Sequence, residues 1–214
     1  MRTLKQLRTF DVALDKAGLG PVAGVDEAGR GACCGPISIA ACILPPKILP
    51  ALDGLTDSKA LSPARRNTLF DAIRTHALAY SIVHISAQDI DAHGIQHANI
   101  SGMRRAVAQL HIRPGYVLSD AMRVEGMETA MLPMIGGDAA SRSIAAASVL
   151  AKVSRDRAME ALDLRLPNYG LAAHKGYGTK SHMDAVRRHG ASEEHRYSYA
   201  NVQAAHRHWL EQNT

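Results

Sequence analysis

No stretch of this sequence reaches the ~20 consecutive apolar residues that a bilayer-spanning helix needs, so a transmembrane segment is excluded. Cysteine is scarce. Cys33, Cys34 and Cys42 are odd in number, lack C-x-x-C spacing and follow no secretory leader, which predicts buried free thiols in a reducing cytosol. His174 and His182 stand at no zinc-ligand spacing from any cysteine, which argues against a structural zinc. Internal repeats and low-complexity linkers are missing, and 214 residues suit one large domain, or a core domain with an appendage, long enough to bury a substantial core. A dinucleotide-binding turn is also missing. In Gly29-x-Gly31-x-x-x-Gly35 the third glycine comes one residue late, and a strand follows where a helix would have to start.

What is present is a soluble composition, 46% hydrophobic and 21% charged, with a basic excess of 25 Lys+Arg over 20 Asp+Glu. A charge of +5 and a pI near 9.3 lean toward a polyanionic partner. At the N-terminus Leu4, Leu7, Phe10 and Leu14 predict a short amphipathic helix on the core. Arg2, Lys5 and Arg8 suit a transit peptide, but Asp11 and Asp15 oppose one. Strands are expected over 21–26, 35–44, 79–85, 116–119 and 131–135. Ser62-Pro63 signals a helix start, and Leu69, Phe70 and Ile73 form that helix's apolar side. Further helices are expected over 99–110, with Met103, Val107 and Leu110 inward, over 143–164, and near 180–190 and 201–212. The alanine-rich opening Ile144-Ala145-Ala146-Ala147-Ser148 predicts close approach of the long helix to a sheet. The element order argues a mixed α/β sheet, not a purely parallel one.

The chemistry gathers where strands end. Asp26 and Glu27 close one apolar run ahead of Gly29-Arg30-Gly31, Asp120 closes another, and Asp138 follows a third through Gly136-Gly137. Strand ends of one sheet converge, and carboxylate oxygens with a substrate phosphate suit Mg²⁺. Two such ions suit in-line displacement at phosphorus. Neighbouring strand residues point to opposite faces, so Asp26 and Glu27 share a site only if the strand ends or twists there. Acids at strand ends also serve as plain solvated turn formers, and the residue pattern alone leaves both readings open.

The ordered blocks carry a resemblance. Gly24–Gly31, Asp57-Ser58-Lys59, Ile90-Asp91 with Asn99-Ile100, Asp120 and Gly137-Asp138 come first. Ser143–Ser148 with Ala151–Asp156, His174–Thr179 with His182, and His195-Arg196 follow. Over roughly 22–198 the chain resembles ribonuclease HII, the bacterial type 2 ribonuclease H. The resemblance implies a ribonuclease H-like mixed five-stranded sheet flanked by helices. A catalytic core over 17–165 would carry a C-terminal helical substrate-binding extension over 166–214. It implies an endonuclease that cuts the RNA strand of RNA–DNA hybrids. It also implies incision 5′ to a single ribonucleotide in duplex DNA, leaving 3′-hydroxyl and 5′-phosphate ends. Asp26, Glu27, Asp120 and Asp138 would be the catalytic carboxylates, binding Mg²⁺ or Mn²⁺, two ions with substrate present. Gly29, Arg30 and Gly31 would touch the 2′-hydroxyl and the neighbouring phosphate, and Tyr177 would stack on the deoxyribose beyond the junction. Ser58, Lys59 and Lys175 would join the substrate contacts, Lys59 at phosphate. The expected setting is a cytoplasmic monomer acting in ribonucleotide removal.

Departures from the family pattern are few. Cys33-Cys34 replaces proline or small apolar residues and reads as packing. Ala60 stands where a second lysine is common, which predicts weaker phosphate affinity. Ala121 follows Asp120 where glycine is more usual. Bland roles remain open: a packing tyrosine for Tyr177, a solvated basic face for Lys175, Lys180, Arg187 and Arg188, an Arg155-paired Asp156, and a tail anchor in Trp209. His195-Arg196 suits packing and substrate contact equally. A hybrid-binding module that has lost catalysis is opposed by the four carboxylates. The sister ribonuclease HIII is opposed by a catalytic motif that starts by residue 24 with no added N-terminal domain. Glu211-Gln212-Asn213-Thr214 holds no obvious clamp-binding motif.

Overall fold

The computed structural model describes residues 7–213. The sequence runs α1 (Thr9–Lys16), β1 (Val22–Ala28), β2 (Ile37–Ile43), α2 (Pro63–His76), β3 (Ala79–Ile85), α3 (Ala87–His93), α4 (Ile95–Ala108), β4 (Tyr116–Asp120) and β5 (Met131–Met134). It continues with α5 (Arg142–Arg165), α6 (Leu171–His174), α7 (Lys180–His189) and α8 (Ala200–Asn213). The strands form the expected mixed five-stranded sheet in the order β3-β2-β1-β4-β5. β1 lies parallel to β4 with Val22 opposite Tyr116 and Val25 opposite Ser119. β4 lies parallel to β5 with Asp120 opposite Met134. No helix of the described residues is long and apolar enough to cross a membrane.

Two compact units emerge. The first comprises residues up to Ala28, 39–83 and 100–153; the second comprises 29–38, 84–99 and 154–214. In the first unit the alternation of β2 turns Ala40 and Cys42 toward Leu69, Phe70 and Ile73 of α2, as their spacing predicts. Ser62 starts α2 by accepting from Arg65 N–H at 3.3 Å, with Pro63 at the first helical position. The alanine-rich opening of α5 has a specific reason. A Cβ on Gly24 of β1 would lie 2.0 Å from the backbone carbon of Ser143, so strand and helix touch backbone to backbone. Asp11 of α1 fixes that helix start, its carboxylate accepting from Ser143 N–H at 3.1 Å and Ser141 Oγ at 3.0 Å.

In the second unit Cys33, Cys34, Met159 and Leu162 pack with Tyr169, Met183, Val186 and Val202. The packing role expected of the cysteine pair matches their 1% and 0% exposure, and all three thiols are free. Trp209 of α8 stacks on His206 at 5.4 Å and lies against Gly190, where a Cβ would meet its ring at 3.0 Å. That contact fastens the tail.

Three expectations need adjustment. α1 starts at Thr9, leaves Phe10 43% exposed and packs through Leu14, while Leu4, Arg2 and Lys5 lie outside the described residues. α4 begins at Ile95, earlier than residue 99. α3 was not expected, although Ser86 and Asp89 form a reciprocal cap at its start, Asp89 N–H donating to Ser86 Oγ at 3.0 Å.

Candidate active site

In the first unit, β1 extends through both of its acids. Asp26 is 6% exposed and Glu27 half-buried. Their side chains leave the strand in opposite directions, yet Asp26 Oδ1 folds back to accept from Glu27 N–H at 2.8 Å. The two carboxylates still feel each other. Burial, followed by the charge of Glu27, raises the Asp26 carboxyl well above its ordinary range; a hydrogen bond with Ser148 and the Glu27 N–H oppose that shift, and Asp120 adds to it. Ser148 lies on α5, and its hydroxyl also bonds Ser58 Oγ at 2.8 Å. Ser58 is 3% exposed, so its hydroxyl serves Ser148 and, through it, Asp26.

Asp120 and Asp138 meet through a turn. β4 ends at Asp120, whose Oδ1 accepts from Gly137 N–H at 2.8 Å. Gly136, left-handed at φ 64°, turns the chain so that Gly137-Asp138 follows β5 as one 3₁₀ turn. Asp138 is 7% exposed, and its carboxyl is raised to about 6 by burial, then by the charges of Asp120 and Asp57, with Lys59 opposing. Asp57 is a member of the site that sequence reasoning passed over, although it opens the Asp57-Ser58-Lys59 block; it hydrogen-bonds Asp138. Burial alone would lower the exposed Lys59 ammonium. Asp57, Asp138, Asp26 and Asp120 outweigh burial and raise it. One lysine therefore sits in the field of acids that come from four separate stretches of chain.

The donor set consists of oxygens, and two of its carboxyls are buried beside like charges. Such a site is short of positive charge and fits a hard divalent cation of the Mg²⁺ or Mn²⁺ type. The acids are not drawn tightly together. Among the described residues, the His/Cys/Asp/Glu grouping with ligand atoms all within 4.8 Å of one another is Cys34, His182 and His195 in the second unit. Hydrogen-bond accounting gives that trio another role. His182 Nδ1 must donate to Tyr177 O at 3.0 Å, because a carbonyl only accepts. His195 Nδ1 accepts from Ser192 N–H at 3.0 Å, so His195 Nε2–H donates to His182 Nε2 at 3.0 Å. Both rings are neutral and spend their ring lone pairs on protein donors. Burial pushes both pKa values down to about 4 and the Cys34 thiol up to about 12.

The expected substrate contacts occupy the second unit, apart from Ser58 and Lys59. Gly29 is buried with φ 90°, and a Cβ there would lie 1.8 Å from Arg155 Nε. Gly31 differs: a Cβ on it would meet nothing within 4 Å, so internal packing does not demand a glycine there. Arg30 is exposed. Its guanidinium donates to Gln96 Oε1 at 2.9 Å, while its carbonyl accepts from Arg196 Nη1 at 3.0 Å and Tyr199 OH at 2.8 Å. Arg196 is 0% exposed, which places the His195-Arg196 pair beneath the loop in a packing role. Tyr177 is 41% exposed on a turn with left-handed Lys175 and Gly176, and Lys175 Nζ pairs with Glu160 at 2.6 Å. The braces Arg155, Arg196 and Tyr199 were missed as loop supports, although two of them stand in the quoted blocks.

Residues 23–202 match a family model described as Ribonuclease HII. A ribonuclease HII of Corynebacterium diphtheriae is 66% identical over 214 residues, covering 100% of this chain and 93% of that relative. One of Corynebacterium efficiens is 66% identical over 209 residues, covering 98% and 90%. Among solved structures, the ribonuclease H2 of Pyrococcus horikoshii OT3 is similar with a TM-score of 0.76 at 25% identity, covering 89% of this chain and 99% of that one.

Proposed function

The chain belongs to the ribonuclease HII family and is a metal-dependent endonuclease of RNA–DNA hybrids, and from that premise we propose that it also incises 5′ to single ribonucleotides embedded in duplex DNA. The observation that supports this reading is the shared field of Asp26, Asp120 and Asp138, at or just beyond the ends of β1, β4 and β5, around Lys59. Asp26, Glu27, Asp120 and Asp138 would hold Mg²⁺ or Mn²⁺. Two such ions, when bound, supply charge neutralisation at the reacting phosphate and its attacking and leaving oxygens. The chain's own residues aim and hold. Ser148 and Glu27 N–H orient the Asp26 carboxylate, and Gly137 N–H orients that of Asp120. We assign Lys59 to a substrate phosphate oxygen and Ser58 to holding Ser148. Water attacks phosphorus in line, the P–O3′ bond breaks, and the products are a 3′-hydroxyl and a 5′-phosphate.

Recognition falls to the second unit. The Gly29–Gly31 loop starts two residues beyond Glu27 in the chain. Gly31, where a Cβ would meet nothing within 4 Å, leaves room for a 2′-hydroxyl, the group that distinguishes RNA from DNA, to approach the backbone. Arg30 offers a planar fork to the adjacent phosphate on release from Gln96. Tyr177 presents an exposed ring for the deoxyribose beyond the junction, and Lys175 joins the contacts on leaving Glu160. The 166–214 extension would act as the substrate-binding arm. We further propose a cytoplasmic monomer, a setting that suits the three reduced, buried thiols.

A cleavage assay tests this directly. A duplex with one ribonucleotide, incubated with Mg²⁺ and separately with Mn²⁺, should be cut once on the 5′ side, with all-DNA and all-RNA duplexes left intact. Cutting of a continuous hybrid without cutting at the single ribonucleotide would refute the finer specificity.

A further inference from the structure

We propose that Arg155 is a positioning residue that couples the Gly29–Gly31 loop to the Tyr177 turn, so that the two read an RNA–DNA junction in one register; the proposal rests on the junction-reading roles given above. Arg155 stands in the Ser154-Arg155-Asp156 block, to which the chemistry assigned no task. Its side chain is fully buried at 0% exposure. The planar fork is divided between two segments. Nε donates to Pro36 O at 3.0 Å and Nη2 to Cys34 O at 3.3 Å, on the chain leaving the glycine loop. Nη1 donates to Lys175 O at 2.9 Å, on the turn that carries Tyr177. The guanidinium carbon lies 5.5 Å from the Tyr177 ring centroid, within range of a cation–π contact. Gly29 rests on the same group, since any Cβ there would collide with Nε.

Loop and turn also touch directly, Cys33 N–H donating to Gly176 O at 2.9 Å. Arg196 provides the contrast. It is equally buried, but its fork goes to Gly35 O, Arg30 O and Tyr199 OH, none of them on the Tyr177 turn. Arg155 alone among these braces reaches the loop chain, the turn backbone and the reading ring. A lysine cannot replace it, because an ammonium on a flexible stem lacks the planar fork needed to hold carbonyls of two segments at once.

The test compares full-length wild type, Arg155→Lys, Tyr177→Ala and the double variant. Each is assayed with Mg²⁺ for kcat and KM on a one-ribonucleotide duplex and on a continuous hybrid. Tyr177→Ala is expected to lower the single-ribonucleotide to hybrid ratio of kcat/KM by roughly tenfold, and Arg155→Lys to do the same through misplacement, with the smaller loss on the hybrid. The double variant should be no worse than the stronger single one, because both act on one element. Equal losses on both substrates in Arg155→Lys, or losses that multiply in the double variant, overturn the coupling. An unchanged ratio in Tyr177→Ala overturns the junction-reading role itself, and the proposal with it. Should Arg155→Lys not fold, ¹⁵N-labelled wild type supplies the test without added metal. The Arg155 Nε–H resonance should shift on binding the one-ribonucleotide duplex, and an equal shift with all-DNA duplex, or none with either, overturns the proposal.

Discussion

Replacing Asp120 or Asp138 with Asn keeps the size of each side chain and removes the charge that a divalent cation requires. Cleavage of a hybrid should fall by at least about two orders of magnitude in either variant, while hybrid binding measured by anisotropy stays near wild type. Full activity in either variant would sink the metal-ligand assignment. Ala121 permits a subtler test. It stands where the family more usually carries glycine, and its φ of 51° is left-handed. An L-residue there is strained by roughly 1–2 kcal/mol, against ~0.5–1 kcal/mol of extra chain entropy that glycine loses on folding. Ala121→Gly should therefore stabilise the protein by up to about 1 kcal/mol in urea denaturation, and destabilisation would show that the Ala121 conformation is not strained.

Among elements, the contact of β1 with α5 decides how Asp26 is held, since Ser148 reaches it from that helix. Gly24 lets the strand that carries Asp26 lie backbone to backbone against the helix that carries Ser148. Gly24→Ala forces them apart and should cost about 1–3 kcal/mol or more, read as a lower denaturant midpoint, with loss of cleavage beyond the unfolded fraction. A glycine in an apolar strand and an alanine-rich helix were each legible in the sequence. Their pairing was not, because close approach is a relation between segments far apart in the chain. The Tyr177 turn is the other decisive element. Tyr177→Ala should reduce incision at a single ribonucleotide on the order of tenfold, the scale of one lost stacking contact, with a smaller effect within a long RNA tract.

On the scale of the whole molecule, the excess of positive charge predicts binding that weakens linearly in log–log form as salt rises, through counterion release at phosphates. An affinity indifferent to salt between low and moderate ionic strength would contradict phosphate contacts by Lys59 and the basic residues of the 166–214 segment. Stability should also depend on pH. Burial holds His182 and His195 neutral with pKa values near 4, against an ordinary 6.5. Between those values these two histidines bind more protons in the unfolded chain than in the folded one. The stabilisation is complete above about 6.5 and is lost as pH falls toward about 4. The thermal midpoint of His182→Asn minus that of wild type should therefore rise as pH falls across that window; the raised Asp26 and Asp138 carboxyls act in the opposite sense, but equally in both proteins.

The sequence by itself determined the strand-end acids, the glycine-rich loop, the apolar faces of α2 and α4, and the kinship that these blocks carry in order. Each of these rests on local chemistry: alternation along a strand, periodicity along a helix, residue types that suit oxygen ligation or close backbone approach. Only the tertiary structure decided what stands beneath those residues. Ser58 behind Ser148, and Arg155 and Arg196 under the glycine loop, are buried polar groups, and Asp57 is a half-buried one beside Asp138. Their roles follow from which distant carbonyl or carboxyl they satisfy, and a buried donor finds its acceptor only once the chain has packed.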